Sequence, residues 1–207
     1  MFLPLFPLNA VVFPGEMLPL HIFEPRYRQL VQESVDTGST FGIPAAVYGR
    51  LAQFGTEVEV LHVLKSYPTG ESDILTRGVS VFRIEEYRPE VPEKLYPGGV
   101  VVPVEDNPLV DPNVQDELLI TLRRIEERVG AQVKVLAPER LSFAIARQIG
   151  LSVPQKLEIL AQSEEAARQS IVLGHLKTAL SVLESNAAKG VSAKASTLAA
   201  RYRPSLN

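Results

Sequence analysis

LPLFPLNAVVFPGEMLPLHIFEPRYRQLV, from Leu3 to Val31, sets two apolar runs broken by prolines directly ahead of an amphipathic segment. Proline fixes its own φ and lacks an amide donor, so Pro4, Pro7 and Pro14 forbid a continuous hydrophobic helix. Leu3 to Leu8 therefore reads as a short strand. Pro25 has the opposite meaning, because the first helical position needs no donor and its φ suits the helix. Tyr27, Leu30, Val31 and Ser34 then share a face and Gly38 is a natural terminator, which predicts a helix from Pro25 to Gly38. The uncharged run from Met1 to Gly15 is shorter than the ~20 residues that span a bilayer, and no basic segment precedes it. The expectation is mature sequence with no membrane partner.

Working outward, the next seventy residues are punctuated by Pro and Gly with β-branched and aromatic runs between. Strands are predicted at Thr40 to Tyr48, Thr56 to Ser66, Ser72 to Tyr87 and Gly99 to Val104, the third of them bent or bulged near Gly78. Val58 and Val60 alternate with Glu57 and Glu59, the pattern of a half-buried strand. Tyr67-Pro68-Thr69-Gly70 fits a hairpin connection, and Tyr96-Pro97-Gly98-Gly99 fits a type II turn. So many strands in about a hundred residues predict a small closed or nearly closed barrel with one inserted helix.

The period then changes. Asp111 is a good cap before Pro112, and Val114, Leu118, Leu122, Ile125 and Val129 recur at helical spacing. A second helix is predicted from near Pro138 to Gly150. Ser152 with Gln155 forms a capping-box pattern for a short third helix, and Ser163 opens a long one through Leu173, Leu176, Leu180 and Leu183. The expected class is α+β, divided into residues 1–108, the β-barrel, and 109–207, a helical bundle ending in a long helix and a basic tail.

Composition narrows the chemistry. The chain has no cysteine, which excludes a disulfide framework, thiolate catalysis and Cys-based zinc sites, and fits a cytoplasmic protein. Residues 1–110 carry 8 Lys/Arg against 14 Asp/Glu, whereas residues 111–207 carry 13 against 10. The excess of base lies in the last 22 residues, where Lys189, Lys194, Arg201 and Arg203 face no acid. Sparse as they are, they read as a solvated tail.

The order of these segments resembles the N-terminal domain of the Lon protease family. The resemblance rests on the succession L-P-L-F-P-L, V-V-F-P-G and L-P-L-H-I-F-E-P-R-Y-R. It continues through Phe54-Gly55-Thr56, Arg77 to Ile84, Leu151 to Leu157 and the helix after Ser163, covering most of residues 3–185. It implies a PUA-like barrel followed by helices, and a domain that contacts substrates without catalytic machinery. A P-loop needs Gly-Lys followed by Ser or Thr, and no Gly-Lys dipeptide occurs in the chain. Nothing in it resembles the ATPase module or the Ser-Lys protease domain, so the expectation is a stand-alone binding domain and not an enzyme.

The candidate sites are few. His21, His62 and His175 have no second histidine at helical ligand spacing, so no metal is expected, and no cofactor either. Glu85-Glu86, Glu126-Glu127 and Glu164-Glu165 read as solvated faces and helix N-terminal charge, since adjacent residues point apart. Glu24, Arg26 and Arg28 read as a helix start with arginines paired to barrel carboxylates, with a charged contact for a partner as the alternative. Met17, Phe41, Tyr48 and Phe54 lie in or beside predicted loops and are the candidate peptide-binding residues, although core packing is the favoured reading of each. The expected partner is unfolded polypeptide, a protein client or a separate protease. An RNA-binding PUA-like module is the alternative, disfavoured by the acidic first half.

Overall fold

The computed structural model describes residues 1–47, 49–133 and 140–188. Its order is β1 (Phe2–Pro4), β2 (Met17–Ile22), α1 (Pro25–Thr37), β3 (Phe41–Val47), β4 (Arg50–Ser66), β5 (Ser72–Arg88), β6 (Gly98–Pro103), α2 (Pro112–Val129), α3 (Leu141–Ala146), α4 (Val153–Leu160) and α5 (Glu165–Ala188). The fold is mixed, an antiparallel sheet with several helices, in two compact units, Met1–Glu105 and Asp106–Asn207.

In the first unit the sheet runs β1-β6-β5-β4-β3, and β2 pairs with the N-terminal half of β5. The chain just past β1 reaches β3 through two isolated parallel bridges, Leu5 with Gly42 and Leu8 with Ala45. No continuous ladder closes the sheet there.

Local chemistry explains several elements. Pro25 opens α1 and Gly38 closes it in the left-handed region at φ 66°, its amide donating to Ser34 O. The Tyr67 to Glu71 hairpin turns on Gly70 at φ 84°, with Gly70 N–H donating to Tyr67 O and Tyr67 N–H to Glu71 O. The expected bulge in β5 is present: Val58 faces Gly78 while Glu57 faces Ser80, so Val79 is the extra residue. Gly78 sits there because Phe13 O lies 2.3 Å from where a Cβ would stand.

Three local expectations fail, and one strand goes unannounced by the sequence. That strand is Met17–Ile22; Pro19 hides it, but Pro19 exposes its missing donor on an element whose only strand partner among the described residues is β5. β4 begins at Arg50, not Thr56, because β3 supplies a partner from Val47 backward. Tyr96-Pro97-Gly98-Gly99 is no type II turn: Gly98 and Gly99 already pair with Pro4 and Leu3, and the Phe2 ring occupies the space beside Gly98. Finally, α3 stops at Ala146, four residues before Gly150, while residues 134–139 lie outside the described set.

The core of this unit gathers Phe6, Tyr27, Leu30, Val31, Phe41, Ile43, Val58 and Ile74 between the sheet and α1. Phe6 is its aromatic hinge, with ring centroids 3.9 Å from Tyr27 and 6.2 Å from Phe41. A smaller cluster joins Leu3, Leu5, Phe82, Ile84 and Val101.

In the second unit α2 packs on α5, and α3 and α4 pack on α5 and each other. Asp111 caps α2 by accepting from the Asn113 and Val114 amides, and Gly130 ends it at φ 68°. The basic tail residues Lys189, Lys194, Arg201 and Arg203 lie outside the described residues.

Candidate functional site

The three candidate peptide contacts among the described residues, Met17, Phe41 and Phe54, do not form one surface. Met17 is exposed on β2, paired with Arg77. Phe54 is half-buried on β4 opposite Arg83, six residues further along β5, which is roughly 20 Å at strand rise. Phe41 is 0% exposed, a core residue packed near Phe6, and contributes no surface. Tyr48 lies outside the described residues.

The structure exposes a different apolar set. Residues 59–66 of β4 have β5 on one side and, among the described residues, no strand on the other. Val63 and Leu64 on this edge are 44% and 57% exposed, and Leu64 is the extra residue of a bulge between Val63 and Lys65. Where β2 ends, Phe23 is 57% exposed. These three lie on one three-stranded ribbon, β2-β5-β4, because His21 pairs with Asp73 and Lys65 pairs with Asp73 from the other side.

A polar clamp orders the end of the ribbon. Asp73 Oδ1 lies 2.7 Å from His21 Nδ1, and Tyr67 OH donates to Asp73 Oδ2 at 2.8 Å. These bonds, His21's first and then Tyr67's, hold the Asp73 carboxyl below the usual carboxylate range. The His21 ring in turn stacks on Phe23 at 5.9 Å and 22° and meets Tyr67 edge-on at 5.9 Å. Lys65 Nζ sits 4.3 Å from the Tyr67 ring centroid. The result is an exposed aromatic face held in place by hydrogen bonds, which lowers the entropy lost on binding. Each Asp73 oxygen thus holds one ring of this face in place.

The charged motif at α1 differs from expectation. Arg26 pairs with Glu24, two residues away, at 2.7 Å and lies over the Tyr27 ring, with no barrel carboxylate involved. The Arg28 guanidinium fills the space beside Gly70 in the hairpin. His62 is exposed on β4. Among the described residues no group of three or more His, Asp or Glu could hold a metal ion.

An open groove of about 790 Å³ runs along α1, lined by Phe2, Leu30, Glu33, Thr37, Lys94 and Tyr96 among others. Glu33 Oε2 accepts from Lys94 Nζ at 2.8 Å and from Tyr96 OH. The Lys94 bond, followed by that from Tyr96, holds the Glu33 carboxyl below its ordinary range. Burial first, then the bond to Glu33, pushes the Tyr96 phenol up to about 12. The Tyr96 contribution to stability is therefore complete below pH 10 and lost as pH rises through about 12. That of Glu33 is present above its unfolded value of 4.5 and lost as pH falls below it. In an ultraviolet tyrosinate titration, one tyrosine of the six is expected to ionise near 12. Glu33→Gln should move that step down without returning it to 10, since burial remains. An unmoved step would disprove the contact.

A family model described as the ATP-dependent protease La (LON) substrate-binding domain matches residues 2–178. A Lon protease of Anaeromyxobacter dehalogenans (strain 2CP-C) is 26% identical over 205 residues, covering 88% of this chain and 24% of that protein. Lon protease 2 of Myxococcus xanthus is also 26% identical, with the same coverage over 206 residues. The chain thus spans about a quarter of the length of these curated relatives. A Lon N-terminal domain protein from Xanthomonas campestris superposes with TM-score 0.68 at 27% identity, covering 84% of this chain and 98% of that one. The N-terminal domain of a Mycobacterium avium complex Lon protease gives 0.66 at 14% identity, covering 86% and 98%, a likeness of fold. No helix among the described residues is long and apolar enough to cross a membrane.

Proposed function

This chain belongs to the family of the Lon substrate-binding domain, and from that premise we propose that it binds unfolded polypeptide and performs no chemistry of its own. We read the six strands and two parallel bridges as a PUA-like barrel and the later helices as the bundle that follows it in sequence. The observation that carries the reading is the β2-β5-β4 ribbon, where an unpaired strand edge and exposed Phe23, Val63 and Leu64 occur together. A free edge offers backbone hydrogen bonds to any extended chain, and flanking apolar side chains add burial without demanding one sequence. That combination suits clients recognised by being unfolded. The acidic balance of residues 1–110, 8 bases against 14 acids, argues against nucleic acid.

Met17 stands on the same ribbon but at the far end of β2, roughly 20 Å from Phe23, so it is peripheral like Phe54, and Phe41 is removed from the proposed surface. Reduced, carboxymethylated α-lactalbumin should bind the protein without nucleotide, and the native, disulfide-bonded form should bind at least tenfold more weakly. Phe23→Ser with Leu64→Ser should weaken that binding about tenfold, the order expected for losing two partly buried side chains, while the melting temperature changes little. Equal affinity for folded and unfolded ligand would refute the reading. A salt-sensitive RNA complex in a filter-binding arm would replace it.

A further inference from the structure

Within the second unit α2, α4 and α5 line an apolar pocket of about 280 Å³ that is open on one side, walled by Ile125, Val129, Leu151, Ala179 and Val182. One polar side chain in its lining is His175, and its Nε2 is buried with no hydrogen-bond partner. The cap of α4 decides which ring nitrogen carries the proton. Gln155 Oε1 accepts from the Ser152 amide at 2.9 Å and from its hydroxyl at 2.8 Å. That leaves the Gln155 amide NH₂ facing His175 Nδ1 at 3.3 Å, so Nδ1 accepts. In the neutral ring the proton is then on Nε2, assigned from this network. A buried N–H without an acceptor is unfavourable, and a ligand that supplies one removes the penalty.

We infer that this pocket receives one large apolar side chain of an extended polypeptide, and that the His175 ring turns to offer its Nε2 N–H, closed to solvent in the free protein, to that residue's backbone carbonyl. The inference rests on the proposed polypeptide-binding role and names a second contact, separate from the ribbon. Its size is just below the range of pockets that enclose drug-sized molecules, which suits one leucine or phenylalanine side chain. Every residue of an extended chain carries a carbonyl at a set distance from its side chain, so the polypeptide delivers both requirements together.

The test uses the full chain and ¹⁵N-detected NMR with twelve-residue Gly/Ser peptides carrying a single central Leu, Phe or Ser. The Leu and Phe peptides should shift the Leu151, Ala179 and Val182 amides and the His175 Nε2 resonance, with the Ser peptide about tenfold or more weaker. Replacing the carbonyl of the central Leu by CH₂ should cost the wild type several-fold, and cost His175→Ala nothing further. Ala179→Phe, which fills the pocket from a half-buried position, should abolish the shifts with helicity and melting unchanged. If Leu peptides shift only residues of the first unit, the pocket assignment falls while the binding role stands. If free 4-methylpentanoate binds the pocket as tightly as the Leu peptide, the site takes small acids and the polypeptide assignment falls. If neither the peptides nor carboxymethylated α-lactalbumin shift any resonance, the proposed function itself falls.

Discussion

Arg168→Ala is expected to destabilise the second unit by about 3–5 kcal/mol, the range for removing one partner of a buried ion pair. Arg168 and Glu165 are 1% and 0% exposed, one helical turn apart at the start of α5. The guanidinium bonds Glu165 Oε2 at 2.9 Å, Asp106 Oδ1 at 2.6 Å and Gln162 O at 3.0 Å, and lies 4.4 Å from the Phe143 ring centroid. Glu165 in turn accepts from the Ser142 amide and hydroxyl and from Gln169, holding the N-terminus of α3. Alanine would leave that carboxylate buried without its cation, and the damage would reach α3 through Ser142. Denaturant melts followed by helix ellipticity measure the cost. Arg168→Met combined with Glu165→Gln should recover at least 1–2 kcal/mol, because no charge is then stranded and the Ser142 amide keeps its acceptor. A loss below about 1 kcal/mol for the alanine variant would mean that the network is not formed in solution.

Phe41→Ser should cost the first unit about 4–6 kcal/mol: some 3–5 for emptying an aromatic site and the rest for burying a hydroxyl. Phe41 is 0% exposed and shares its cluster with Phe6, Ile43 and Val58, so little can collapse into the space. For a unit of this size the melting temperature should fall by more than about 15 °C. Met17→Ser, at a residue 47% exposed, should cost under about 1 kcal/mol. Thermal melts of the two variants side by side separate a core residue from a surface one. Equal losses would overturn the burial assigned to these positions.

These predictions follow the division between local and non-local information. Several helix ends were legible in the sequence, because a helix end depends on residues a few positions apart. Pro25 and Gly38 bound α1, Asp111 caps α2, and Gly70 turns the hairpin, each with the conformation its chemistry requires. The order of short motifs likewise identified the family, since that order is a property of the chain alone. The candidate surface was not legible. Strand alternation says that residues on one face are buried together, but the partner strand decides which face it is. Phe41 therefore went inside with the Phe6 cluster, while Phe23 and Leu64 stayed out where β2 ends and β4 runs past β3. Glu165 shows the same limit in a helix. By sequence it is an acid in the first turn, favourable toward the helix dipole and expected in solvent. The helix itself sets Arg168 one turn from it, but tertiary structure alone brought Ser142 and Asp106 to the pair, from positions 23 and 59 residues before Glu165, and made its burial affordable through paired charge and filled hydrogen bonds.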